Sequence, residues 1–120
     1  MDYFNHYIES YVHNGGIGVL IELDASDSFA SRMDLFKLLA SDLAMHVAAM
    51  NPSTVEDMLS QPFVKDPEHT VEQAISQVAE ELKSKVIVRR FVRWTAEPQK
   101  PGFAEPPKTP AVIYDFRKAR

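Results

Sequence analysis

The sequence predicts an α+β fold, a three-stranded antiparallel sheet with helices packed on one face. Three observations predict it. A segment rich in aromatic and β-branched residues turns at Asn14-Gly15-Gly16 into a second apolar run. A block of helical patterns follows, between Phe29 and residue 83. A long β-branched run, residues 85–95, then closes the pattern. Strands that flank a helical block point to segregated α+β layers rather than a parallel α/β sheet.

The first two strands are read at residues 7–13 and 17–23. Asn and Gly tolerate the positive φ that a tight hairpin turn demands, so Asn14-Gly15-Gly16 sets the turn. Ile17, Val19, Ile21 and Leu23 alternate along the second strand and share its core face. Leu20 points to the other face, which is therefore not fully polar. In the next segment Phe29, Met33, Phe36, Ala40, Leu43, Val47 and Met50 follow spacings of four and three, one stripe of a helix. Leu35 and Leu39 widen it. Asp27, Ser28 and Ser31 are candidate caps, and Ser31 with Asp34 has capping-box spacing. Asn51-Pro52 ends the helix, because the residue before proline disfavours helical geometry.

Ser53 and Glu56 have capping-box spacing for a short second helix that turns Val55, Met58 and Leu59 inward. "SQPFVKDP" contains Pro62 and Pro67 and reads as an extended connection anchored by Phe63. Thr70 and Gln73 form another capping box, and Val71, Ile75, Val78 and Leu82 are the inner stripe of a third helix. The strand at 85–95 is expected beside the first strand. Residues 97–110 carry five of the eight prolines and read as an extended linker. "AVIYDF", 111–116, is strand-like and either joins a sheet edge or stays apart. The division is thus a core domain at 1–96 and a proline-rich tail at 97–120.

Composition excludes several functions. The chain has 120 residues, a hydrophobic fraction of 45% and no cysteine, which suits one domain without disulfides or thiolate metal sites. A net charge of −4 argues against general nucleic-acid binding. Arg89, Arg90 and Arg93 beside Phe91 and Trp94 are therefore read as strand arginines whose stems cover apolar surface. No run approaches the roughly 18 apolar residues of a membrane span, and "MDYFNHYIES" is no signal peptide. A cytoplasmic protein is expected. Gly15-Gly16-Ile17-Gly18 precedes a strand, not a helix, so it lacks the helix N-terminus of a phosphate loop. His13, His46, Asp24 and Asp27 match no metal-ligand spacing. Ser26, Ser28 and Ser31 lie where serine is expected for capping alone. No enzyme activity, cofactor or metal is expected.

Four ordered segments resemble elongation factor Ts, the bacterial guanine-nucleotide exchange factor for elongation factor Tu. They are "YVHNGGIGVLIEL", "LAMHVAAMNP", "QPFVKDPEHTVEQ" and "VIVRRFVRW", and the similarity around them spans about residues 7–95. The resemblance implies the Ts core fold and a Tu-like GTPase as partner. The family's Thr-Asp-Phe turn, whose Asp-Phe pair reaches the Tu magnesium site, falls on Asp27, Ser28 and Phe29. The aromatic is kept and the acidic residue before it is not. The same resemblance places His13, His46, Gln61, Pro62 and Phe63 at a second Tu contact. It also implies a shortened protein, without the family's N-terminal helical domain and without a long helical insertion between the Asn-Pro and Gln-Pro-Phe segments. Two functions follow: Tu binding with promotion of GDP release, or, as the alternative, a Ts-fold interaction module without exchange activity. From the stripe alone, Phe29 is either the first core residue of the helix or a contact offered to a partner.

Overall fold

A computed structural model describes residues 4–96. Strand β1 (Asn5–His13) turns into β2 (Ile17–Ala25), and a 3-10 turn (Ala30–Arg32) leads into helix α1 (Asp34–Met50). Helix α2 (Val55–Ser60), the short strands β3 (Pro62–Phe63) and β4 (Asp66–Thr70), helix α3 (Val71–Leu82) and strand β5 (Val86–Thr95) complete it. The helices lie on one face of an antiparallel sheet, so the α+β expectation holds. No helix among the described residues is long and apolar enough to cross a membrane. The tail at 97–120, with its strand-like run at 111–116, lies outside the described residues.

The hairpin forms where its turn residues require. Asn14 and Gly15 both have positive φ, 50° and 69°, and Gly16 N–H donates to His13 O at 2.9 Å. Thr70 and Gln73 form the expected reciprocal capping box on α3. Asn51 closes α1 in the left-handed conformation with its N–H on Val47 O, and Pro52 follows. The cap of α2 is displaced by one residue: Thr54, not Ser53, accepts from Asp57 N–H. At α1 the expected box is absent. Met33 is the N-cap without a side-chain bond, and the Ser31 hydroxyl donates to Ser28 O instead.

The strand order corrects the sequence expectation. It is β1-β2-β5, so the last strand pairs with the second and not with the first. Burial explains the choice. Val19, Ile21, Leu23 and Ala25 of β2 are buried, whereas β1 alternates half-buried and exposed residues. The strand with the most apolar surface stabilises the sheet most from its centre, while the His, Glu and Ser side chains of β1 suit an edge. The core lies between this sheet and α1. Phe36, Ala40, Leu43 and Val47 are fully buried, and Tyr7 meets Phe36 edge to face at 5.7 Å. The outer members of the predicted stripe, Phe29, Met33 and Met50, are exposed.

A bulge in β5 shapes the opposite face. Glu22 faces Arg90 and Leu23 faces Val88, so Arg89 is an extra residue. An extra residue breaks the alternation of a strand. Val86 and Val88 therefore face the helices, then Phe91 does, and the consecutive Arg89 and Arg90 both reach acidic groups of β2.

Candidate functional site: the tip between β2 and α1

Residues 26–29 form a tip that is tied down on both sides. On the incoming side, Ser26 N–H donates to Lys85 O at 3.0 Å and Lys85 N–H donates to Ser26 Oγ at 2.9 Å. The buried Ser84 adds its Oγ to Ser26 Oγ and accepts from Asp27 N–H, both at 3.2 Å. This couples the tip to the turn between α3 and β5. On the outgoing side, Asp27 Oδ1 accepts from Phe29 N–H at 2.9 Å. That bond is the local side-chain turn for which aspartate is suited. Arg32 N–H donates to Phe29 O, and Ala30 is buried beneath the turn. The backbone is thus pinned before and after Phe29, yet the Phe29 side chain is 69% exposed. Phe29 is not a core residue. The helix starts too late to carry it on the buried face, because Met33 is extended at φ −73°, ψ 144°.

His46 builds a second feature from segments far apart in sequence. It is fully buried on α1. Val64 N–H donates to its Nδ1 at 3.1 Å, and its Nε2 meets Gln61 Oε1 at 2.9 Å. The two bonds together require a neutral ring with the proton on Nε2. Burial lowers its pKa below the ordinary 6.5, against the smaller opposing effect of Gln61. The Phe63 ring packs 5.9 Å from the imidazole and is buried as well. His46, Gln61 and Phe63 therefore come together as an internal clamp on the α2–β3 connection, with Pro62 exposed above it.

His13 stands apart. It is exposed at the hairpin turn, held by the Tyr11 hydroxyl at 2.9 Å and the Asn14 amide at 3.3 Å. The nine-residue β2 separates that turn from the tip, about 30 Å at the usual rise per strand residue. The sequence-derived site residues thus form two surface regions and one internal clamp. Such spacing fits contact with a macromolecule, not enclosure of one small molecule.

A third grouping went unrecognised in the sequence. Asp24 is fully buried, with His6 Nδ1 at 2.6 Å and Arg89 Nε on its other oxygen. Glu22 pairs with Arg90 at 2.8 Å, and Arg89 lies over the Phe4 ring at 5.1 Å. Ligand atoms of His6, Glu22 and Asp24 lie within 4.8 Å of one another, close enough to share a cation. Both carboxylates, however, already carry a guanidinium, which supplies the positive charge a metal would bring. The cluster serves to satisfy a buried carboxylate at the end of β2. Strand alternation alone puts Glu22 and Asp24 on one face; the bulge that delivers two arginines to them has no sequence signal.

Comparison with known proteins agrees with the fold. Residues 1–58 match the family model described as Elongation factor TS. An elongation factor Ts from Nostoc sp. is 38% identical over 88 residues, covering 72% of this chain and 28% of that protein. One from Desulforamulus reducens is 30% identical over 133 residues, 72% of this chain and 61% of that protein. One from Alkaliphilus oremlandii is 27% identical over 147 residues, 82% of this chain and 68% of that protein. The chain thus spans less than two thirds of the length of the first two. The last two alignments are longer than this chain, so those relatives carry residues with no counterpart here. The Nostoc match runs nearly without gaps, so a missing long insertion does not set this chain apart from that relative.

Proposed function

Since this chain resembles the core domain of elongation factor Ts, we propose that it binds a Tu-type GTPase and promotes GDP release in translation elongation. The observation that carries this reading is Phe29, exposed on a tip pinned by Ser84, Lys85 and Asp27. An aromatic on a fixed backbone loses little entropy when a pocket receives it, which is how hot-spot residues work. The mechanism is non-covalent. The tip binds the GTPase state with a disturbed magnesium site more tightly than the GDP state, which shifts the population towards release. With the metal displaced, the diphosphate loses its strongest electrostatic partner. Asp27 holds the turn through the Phe29 N–H, and Ser28 stands where a carboxylate would compete for the metal's ligands. His13, Gln61 and Pro62 supply contact at a distance from the tip. His46 and Phe63 hold that second region in shape from beneath.

The alternative, an interaction module without exchange activity, draws on Ser28 in place of the acidic residue. The two are separated by mixing the protein with Tu and a fluorescent GDP, measuring affinity by titration and release by stopped flow. Acceleration of release supports the exchange reading. Binding without acceleration supports the module. Ser28→Asp is expected to speed release further. If the chain neither binds Tu nor accelerates release at micromolar concentration, the exchange reading fails and an interaction module for another partner becomes the better account.

A further inference from the structure

Three polar residues are buried among the described residues: Asp24, His46 and Ser84. The arginine cluster accounts for the first and the clamp on the α2–β3 connection for the second. Ser84 lies in the turn between α3 and β5, and its hydroxyl is fully used at the base of the tip. Its Oγ–H donates to Lys85 O at 3.0 Å. A hydroxyl has one proton to give and can accept two. Ser84 Oγ therefore accepts at its other contacts, from Asp27 N–H and from the Ser26 hydroxyl, both at 3.2 Å. Ser26 can spare its proton because its own oxygen accepts from Lys85 N–H at 2.9 Å. The protons run one way round a closed ring, from Lys85 N–H to Ser26, from Ser26 to Ser84, and from Ser84 back to Lys85 O. Hydrogen bonds in such a chain polarise and strengthen one another.

We infer that Ser84 is the positioning residue for Phe29, acting through Asp27 on the step in which the ring enters the GTPase. Asp27 is the link. Its N–H is held by Ser84 Oγ, and its Oδ1 accepts from Phe29 N–H at 2.9 Å. Its carbonyl accepts from Ser31 N–H, inside the same turn. Among the described residues, Ser84 is thus the one hydrogen-bond partner of Asp27 from outside that turn. Removing the Ser84 oxygen leaves the sheet intact. Ser26 keeps both of its bonds to Lys85, and Ala25 still pairs with Val86. What is released begins at Asp27, the first residue of the exposed run 27–29 to depend on Ser84. Water satisfies the freed N–H but gives it no direction. The turn from Asp27 to Phe29 survives, hinged at Ser26 instead of seated on the α3–β5 turn.

A seated tip is ordered before it meets its pocket, whereas a hinged tip pays that ordering when Phe29 enters. The cost therefore falls on GDP release. Encounter with the GDP-bound GTPase uses His13, Gln61 and Pro62, none of which Ser84 touches. The inference deepens the exchange reading and rests on it for the rate; the order of the tip in the free protein does not.

The experiment has two arms and uses the full chain, with circular dichroism to confirm folding. In the first, nitrogen-15 relaxation of the free protein reads the Ser28 and Phe29 amides. They are expected near the rigid order parameter of about 0.85 in the parent and in Ser84→Thr, which keeps the hydroxyl, and below about 0.6 in Ser84→Ala. In the second, stopped flow with labelled GDP reads release at saturating protein, and titration reads affinity. Ser84→Ala is expected to slow release about tenfold, the scale of ordering a few interface groups, with affinity unchanged and Ser84→Thr close to the parent. Added to Phe29→Ala, it is expected to slow release no further, because residues acting in one line are not additive. A serine that only supports the fold would slow release equally in both backgrounds, and that additivity overturns the inference. So does an unchanged order parameter in Ser84→Ala, a tip in Ser84→Thr as loose as in Ser84→Ala, or a Ser84→Ala chain that does not fold. If the parent chain itself does not accelerate release, the exchange reading fails and the rate effect falls with it, while the order parameters still decide whether Ser84 seats the tip.

Discussion

Replacing Phe29 with alanine separates a contact residue from a core residue. A phenylalanine that is fully buried withdraws on the order of 200 Å² from water. Phe29 is 69% exposed, so about 60 Å² is covered in the free protein. At 25 cal/mol per Å² the truncation costs at most about 1.5 kcal/mol of stability, and less once a compact unfolded state is allowed for. The Asp27 bond to the Phe29 backbone N–H survives the change, so the tip keeps its course. Against the GTPase the loss is larger, because an aromatic that fills a partner pocket contributes about 2 kcal/mol or more. That corresponds to about a 30-fold fall in exchange efficiency. Urea denaturation gives the first quantity and stopped flow with labelled GDP gives the second. A stability loss of about 3 kcal/mol or more would place Phe29 in the core and refute the argument. Unchanged exchange in a stable variant would refute the wedge.

Phe36→Ala, in contrast, is expected to cost about 3–5 kcal/mol, because Phe36 is fully buried and meets Tyr7 edge to face; its urea midpoint should fall far below that of Phe29→Ala. His46 gives a pH dependence of known sign. Its pKa is lowered in the folded state, so the unfolded chain binds more protons and stability rises with pH across this window. The contribution is complete above the unfolded value near 6.5 and is lost as pH falls towards the lowered folded value; the stability gap between the parent and His46→Asn, followed by denaturation from neutral to mildly acidic pH, should narrow on acidification. Asp24→Ala leaves Arg89 and His6 without their shared carboxylate. The expected cost is about 2–3 kcal/mol, under the ~3–5 of a fully buried pair because both partners reach water, and a loss within error in chemical denaturation would show the cluster to be dispensable.

What the sequence determined by itself is whatever a few neighbouring residues can enforce. Asn14-Gly15 makes the hairpin because those two residues accept positive φ. Thr70 and Gln73 start α3 because their side chains reach each other's backbone across one turn. The inner stripe of α1 from Phe36 to Val47 follows from helical periodicity, and the α+β layering follows from the order of such elements. The tertiary structure decided everything that depends on competition between distant segments. Pairing of β5 with β2 rather than β1 is a choice between two available edges, set by the total apolar surface each arrangement buries. Only the apolar excess of "IGVLIEL" over "NHYIESYVH" hinted at it. The bulge at Arg89, the placement of Gln61 and Val64 on His46, and the seat of Ser26 and Asp27 on Ser84 all join residues 15 to 68 positions apart, beyond the reach of any local pattern. Phe29 shows the division most clearly. Its spacing from Met33 and Phe36 is helical, yet the Ser84 and Lys85 anchor fixes the incoming chain and the extended Met33 delays the helix. The ring is left in solvent because a periodic pattern specifies which residues share a face, while only the packed fold specifies where the helix begins.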